Sequence, residues 1–184
     1  MEQCYQTPGQ NIYQHGLSVR DHLKQILDFL RGESNLEGWR IPSWLISEKE
    51  FLLSKVLSWE VMETYTVYHD LGKPFCRTVD ENGKQHFPNH AQVSEKIWLE
   101  NGGDVQVGRL IGMDMDIHTI KAVQVPEFAS RPEAISLLLT GLAEVHSNAK
   151  MFGGIESTSF KIKFGQIEKR GNAIIKELKN ALQK

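Results

Sequence analysis

Residues Tyr68–Pro74 read YHDLGKP. A histidine and an aspartate stand side by side at the end of an apolar-periodic run, with a glycine and a proline just beyond. The run, Phe51, Leu52, Val56, Leu57, Val61 and Met62, has helical spacing. Ser47 and Glu50 have the S-x-x-E form of a capping box at its start. The pattern predicts one helix from Ser47 to about His69, stopped by Gly72 and Pro74. Two readings of His69 and Asp70 follow. In one they are ordinary helix-end residues, with the histidine compensating the C-terminal end of the dipole. In the other they are ligands, because imidazole nitrogen and carboxylate oxygen together suit borderline and transition metal ions. Side chains of adjacent residues diverge by about 100° on an ideal helix. Both reach one ion only if the helix ends there and Gly72 lets the chain turn.

Outward from this stretch, the pattern is helical on both sides. The first ten residues, with Pro8 and Gly9, read as an irregular arm. A helix follows from Ile12 to Leu30, closed near Arg31-Gly32, and Glu33 to Trp44 reads as a loop. After YHDLGKP, apolar-polar alternation flanks Asn82-Gly83, a strong hairpin signal. This is expected to be the only β structure. Asn89 is positioned to cap a helix from His90 to Glu100, and Asp104 another through Leu110. Gly112 to Phe128 is ambiguous, with a helical turn around His118. Pro132 suits the first turn of a helix from Arg131 to Lys150. An amphipathic helix over about 158–182 carries Phe160, Phe164, Ile167, Ile174, Ile175, Leu178 and Leu182 on one face. The fold class expected is all-α with one small β-hairpin, in a single domain over residues 1–184.

Composition narrows the function. With 40% hydrophobic and 24% charged residues the chain has the balance of a soluble globular protein. A net charge of −2 supplies no basic field for long nucleic acid. Cys4 and Cys76 form no CxxC pair, which suggests a reducing, cytoplasmic setting. No secretory signal pattern or membrane-spanning apolar run is present. The chemistry is carried by seven histidines, at 15, 22, 69, 86, 90, 118 and 146.

HDLGKP followed by Phe87–His90 (FPNH) and Ser94 resembles the HD superfamily of metal-dependent phosphohydrolases. It is most similar to the HD modules of CCA-adding tRNA nucleotidyltransferases. The resemblance spans about 12–150 and implies an HD helical bundle. It also implies a ligand order of a histidine, the HD pair, further histidines and a late acid. Carried onto this chain, the metal ligands are His22, His69, Asp70, His90, His118 and Glu144. His22, in its RDHL context, is favoured as first ligand over His15, which would then line the pocket. The family's late acid is an aspartate after alanine. Here Ala143 precedes Glu144, one methylene longer, and His146 is the alternative at that position. The set implies divalent ions, two if Asp70 bridges them, chosen from Mn, Fe, Ni, Zn and Mg. Asp70 and Lys73 are the candidate catalytic residues, Lys73 through its charge beside phosphate. His15, Lys73 and His146 are candidate substrate-binding groups.

The function this implies is hydrolysis of a phosphomonoester or a cyclic or linear phosphodiester, on a small nucleotide or an RNA end, by metal-activated water. The alternative is a catalytically weak HD-like module that binds a nucleotide for regulation. A structural RNA-binding role ranks last, because no aromatic stacking motif or basic balance accompanies it.

Overall fold

The computed structural model describes residues 1–7 and 9–183. Strands β1 (Tyr5–Thr7) and β2 (Gln10–Asn11) precede helix α1 (Ile12–Arg31), and α2 (Ser43–Ser47), α3 (Lys49–Lys55), α4 (Trp59–Tyr68) and α5 (Lys73–Cys76) follow. Strands β3 (Thr78–Val79) and β4 (Gln85–His86) lead to α6 (His90–Glu100), α7 (Val105–Met113) and α8 (Asp116–Thr119). A 3-10 turn at Ala122–Gln124 then enters α9 (Val125–Ala129), α10 (Ala134–Ser147) and α11 (Thr158–Leu182). The fold is all-α, as the sequence predicts, but the described residues hold two small antiparallel β pairs, β1-β2 and β3-β4, where one hairpin is expected.

Several local expectations hold for the reasons given. Gly32 ends α1 with φ +79°, a conformation that favours glycine. The Asn82-Gly83 turn joins β3 and β4, and Asp80 Oδ1 accepts from the amides of Asn82 and Lys84. Asp104 caps α7 through Val107 N. α11 starts at Thr158, as expected, and the structure adds that Ser157 caps it through Phe160 N. Others need correction. The N-terminal arm is not wholly irregular: β1 and β2 pair antiparallel, Tyr5 opposite Asn11. The Glu33 to Trp44 loop stops at Pro42, where α2 begins. Ser47 and Glu50 form no capping box, because Ser47 closes α2 and α3 starts after Glu48. The long helix is broken after Lys55. Val56 is extended, and Leu57 N donates to Ser136 Oγ at 3.0 Å instead of to a helical carbonyl. α4 then restarts behind an extended Ser58. Asn89 precedes α6 in the left-handed region and makes no side-chain cap. The helix expected from Arg131 begins three residues later, at Ala134.

The chain divides into two compact units, each built from two stretches. The first combines Met1–Arg20 with Ser58–Met115, and the second combines Asp21–Leu57 with Asp116–Lys184. In the first unit α4 packs on α7, and α6 packs on α7. Met62, Tyr65, Val107, Leu110 and Ile111 are buried there. The buried Tyr65 hydroxyl donates to buried Asp114 Oδ1 at 2.6 Å, joining α4 to the end of α7. In the second unit α10 is buried along nearly its whole length and packs on α11, whose Phe160, Ile167, Ile174 and Ile175 face inward.

Candidate metal centre

YHDLGKP is where α4 stops. Tyr68 is its last residue, Leu71 N and Lys73 N close successive turns onto Tyr68 O and Asp70 O, and α5 begins at Lys73. Gly72 works differently from the expectation. Its φ is −80°, so no unusual backbone conformation requires glycine. Close approach does: a Cβ would stand 2.5 Å from Ser94 N on α6. Gly72 N donates to the buried Ser94 Oγ at 2.7 Å, fixing the turn against α6. Pro74 opens α5 rather than merely ending α4.

The turn presents His69 and Asp70 to α1 and α6 within the first unit. Asp70 is 1% exposed, and three imidazoles face its carboxylate. His69 Nε2 is 3.3 Å and His15 Nε2 3.8 Å from Oδ2, while His90 Nε2 is 3.5 Å from Oδ1. Two of the rings are oriented from behind. His69 Nδ1 lies 2.8 Å from Thr66 O and His90 Nδ1 3.0 Å from Phe87 O. A carbonyl can only accept, so each Nδ1 carries a proton and Nε2 is the nitrogen offered to the centre. Lys73 Nζ, on the next turn, donates to Asp70 Oδ2 at 2.6 Å. Burial opposes the charge on Asp70. The charges of His69 and Lys73, the hydrogen bond from His69 and the charge of His15 outweigh it and hold the carboxyl well below its usual range.

His15, His69 and Asp70 each offer a ligand atom within 4.8 Å of the others, and this buried group could hold a metal ion. The donor chemistry fits a divalent ion. Neighbouring ligands about 2.1 Å from an ion stand roughly 3.0–3.4 Å apart. The His69–Asp70 edge of 3.3 Å already has that spacing, and the His15–Asp70 edge of 3.8 Å is close to it.

The remaining sequence candidates have contacts of their own. His15, not His22, is the α1 histidine in the cluster. His22 belongs to the second unit, its ring centroid 5.5 Å from that of Trp39. His118 and Glu144, expected to join the HD pair, also belong to the second unit and pair with each other, Nε2 to Oε2 at 2.8 Å. His146 stacks on Trp39 at 3.9 Å. His86 pairs locally with Asp80 at 2.8 Å. Asp116 takes Arg131 as its partner.

No family model matches the chain, no curated protein matches it, and no solved structure does. The chemistry of the side chains is therefore what points to a function.

Two residues that position the site are not marked for that role in the sequence. Ser94 is one, through its hydrogen bond from Gly72 N. Gly16, next to His15, faces α4, and a Cβ there would overlap the backbone carbonyl of Val67. Glycine at 16 lets α1 approach α4 closely enough for His15 to meet His69, their ring centroids 5.3 Å apart. Gly16→Ala is expected to cost about 1–3 kcal/mol, since backbone cannot yield as a side-chain tip would. It should also weaken divalent-ion binding. Gly165→Ala is the control, because a Cβ there meets nothing within 4 Å in the middle of α11. Urea midpoints should fall for the first variant and hold or rise for the second.

Proposed function

We propose that this protein is a metal-dependent phosphohydrolase of the HD type, acting on a phosphomonoester or a cyclic or linear phosphodiester of a nucleotide or RNA end. The observation that carries this is the convergence of His15, His69 and His90 on buried Asp70, with the Lys73 ammonium beside it. A divalent ion held by His15, His69 and Asp70 would supply an acidified water and positive charge for phosphoryl oxygens. The protein's own groups divide the rest of the work. His69, with its Nδ1 proton fixed on Thr66 O, keeps Nε2 directed at the centre. His90 is 14% exposed, so it stands at the open side, where it can hand a proton to a leaving oxygen or orient a phosphate. Lys73 brings a fixed positive charge for the ester's negative oxygens. Burial of His15 and Asp70 keeps bulk water from competing for these contacts.

The second reading, a nucleotide-sensing module of weak or absent activity, is supported by the pairing of Glu144 with His118. Metal analysis of protein purified without chelator, followed by a panel of phosphomonoesters, cyclic and linear phosphodiesters and nucleoside triphosphates with Mn, Ni and Mg, separates the two. One or two equivalents of metal with turnover of one ester class is the expected result. Bound metal without turnover would favour the module. Neither metal nor turnover would remove the enzyme and favour the module.

A further inference from the structure

The oxygen that an ion would need is the one Lys73 now holds. Lys73 Nζ is 2.6 Å from Asp70 Oδ2, and the same Oδ2 is the atom faced by His15 and His69. Asp70 is 1% exposed and Lys73 6%, so little water is present to screen one cation from another. An ammonium donating to an oxygen and a divalent ion coordinated by that oxygen would sit within about 4–5 Å of each other, three positive charges on one carboxylate. We propose that Lys73 and a divalent ion are alternative counter-cations at Asp70. In the metal-free protein the ammonium neutralises the buried carboxylate. When an ion enters, Lys73 leaves Oδ2.

Its departure has a direction. Lys73 is the first residue of α5, and its Nζ lies 5.4 Å from the centroid of the Phe87 ring. The carbonyl of Phe87 is the one that orients His90, the part-exposed member of the cluster. A short rotation of the lysine toward Phe87 keeps the ammonium over an aromatic face. That rotation would carry it toward the residue whose carbonyl orients the part-exposed His90. The exchange would thus set metal affinity and, in the same movement, deliver a cation for the substrate's anionic oxygens.

The inference rests on the metal site proposed above, and its test separates the two. Chelator-stripped wild type, Lys73→Met and Lys73→Arg are titrated calorimetrically with Mn²⁺ and with Zn²⁺, and thermal midpoints are recorded with and without metal. Lys73→Met is expected to bind metal at least tenfold more tightly than wild type. Stripped, it should melt below wild type, because Asp70 has lost its counter-charge, and metal should close that gap. Lys73→Arg keeps a cation on α5 and should retain wild-type affinity and melting. Equal affinity in wild type and Lys73→Met, or weaker binding by Lys73→Met, overturns the exchange while leaving the metal site standing. Tighter binding by Lys73→Arg as well would overturn it too, by showing that charge is not the cause. No binding by any of the three overturns both the exchange and the site. If stripped Lys73→Met does not fold, Lys73→Gln, which can still donate to Asp70 but carries no charge, takes its place with the same expected gain in affinity.

Discussion

Asp70→Asn is expected to bind Mn²⁺ or Zn²⁺ about 100-fold more weakly than wild type, or worse, and to lose phosphoester turnover while keeping its fold. The choice of asparagine follows from the surroundings of Asp70. The amide has the same shape as the carboxylate, and its oxygen can still accept from Lys73 Nζ, now 2.6 Å from Oδ2. What is removed is the negative charge, the one feature a divalent ion at this cluster needs and the three imidazoles cannot supply. Alanine would confuse the result. It would leave Lys73, 6% exposed, as a buried cation with its carboxylate gone, and breaking a buried pair in this way costs about 3–5 kcal/mol. Loss of activity in Asp70→Ala would then mix chemistry with unfolding. Metal content, calorimetric affinity and far-UV circular dichroism on Asp70→Asn keep them apart. Wild-type affinity in a folded Asp70→Asn protein would show that Asp70 is not a ligand.

How far the sequence could be read depends on the range of the interactions. Gly32, Asn82-Gly83, Asp104 and Ser157 act within a few residues of themselves, and each does what its residue type implies. The break between α3 and α4 does not work that way. Leu57 N finds its acceptor in Ser136, far along the chain, and the apolar period runs on unbroken across the break. The site shows the same division. HDLGKP marks the turn that carries His69 and Asp70, but the choice between His15 and His22 needed the third dimension. The two are seven residues apart on one face of α1. The deciding feature is Gly16, whose missing side chain admits the Val67 carbonyl beside His15. A glycine adjacent to one histidine and not to the other was the available signal. His118 and Glu144 follow the HD pair in the right order. Order along the chain does not exclude a partnership of their own, which is what they form. Asp114 lies in the stretch from Gly112 to Phe128 whose pattern is ambiguous, and its role as a buried acceptor for Tyr65, 49 residues away, has no local signal.

His146 should make the fold sensitive to mild acid. Its side chain is buried on α10, stacked on Trp39 at 3.9 Å and edge-on to Phe160 at 5.2 Å. Burial pushes its pKa down to about 4. The carbonyls of Leu142 and Arg40 oppose that shift, and the charge of His22 adds to it. The unfolded chain takes up its proton near pH 6.5, whereas the folded chain waits until about pH 4. The unfolded state therefore binds more protons throughout that interval. Stability from this group is complete above pH 6.5, declines as pH falls toward 4 and levels off below. The difference of about 2.5 pKa units corresponds to about 3 kcal/mol. Asp70 contributes in a separate window: its carboxyl is held below the ordinary value of 3.8, so its stabilisation persists above that pH and is lost only in stronger acid. Urea unfolding of chelator-stripped wild type and His146→Leu at pH 7 and pH 4.5 isolates the histidine. Leucine fills a similar volume against Trp39 and does not titrate. Wild type is expected to lose about 2–3 kcal/mol more than the variant between the two pH values. The same fall in both proteins would mean that His146 is already protonated in the fold, which burial against Trp39 and Phe160 should prevent.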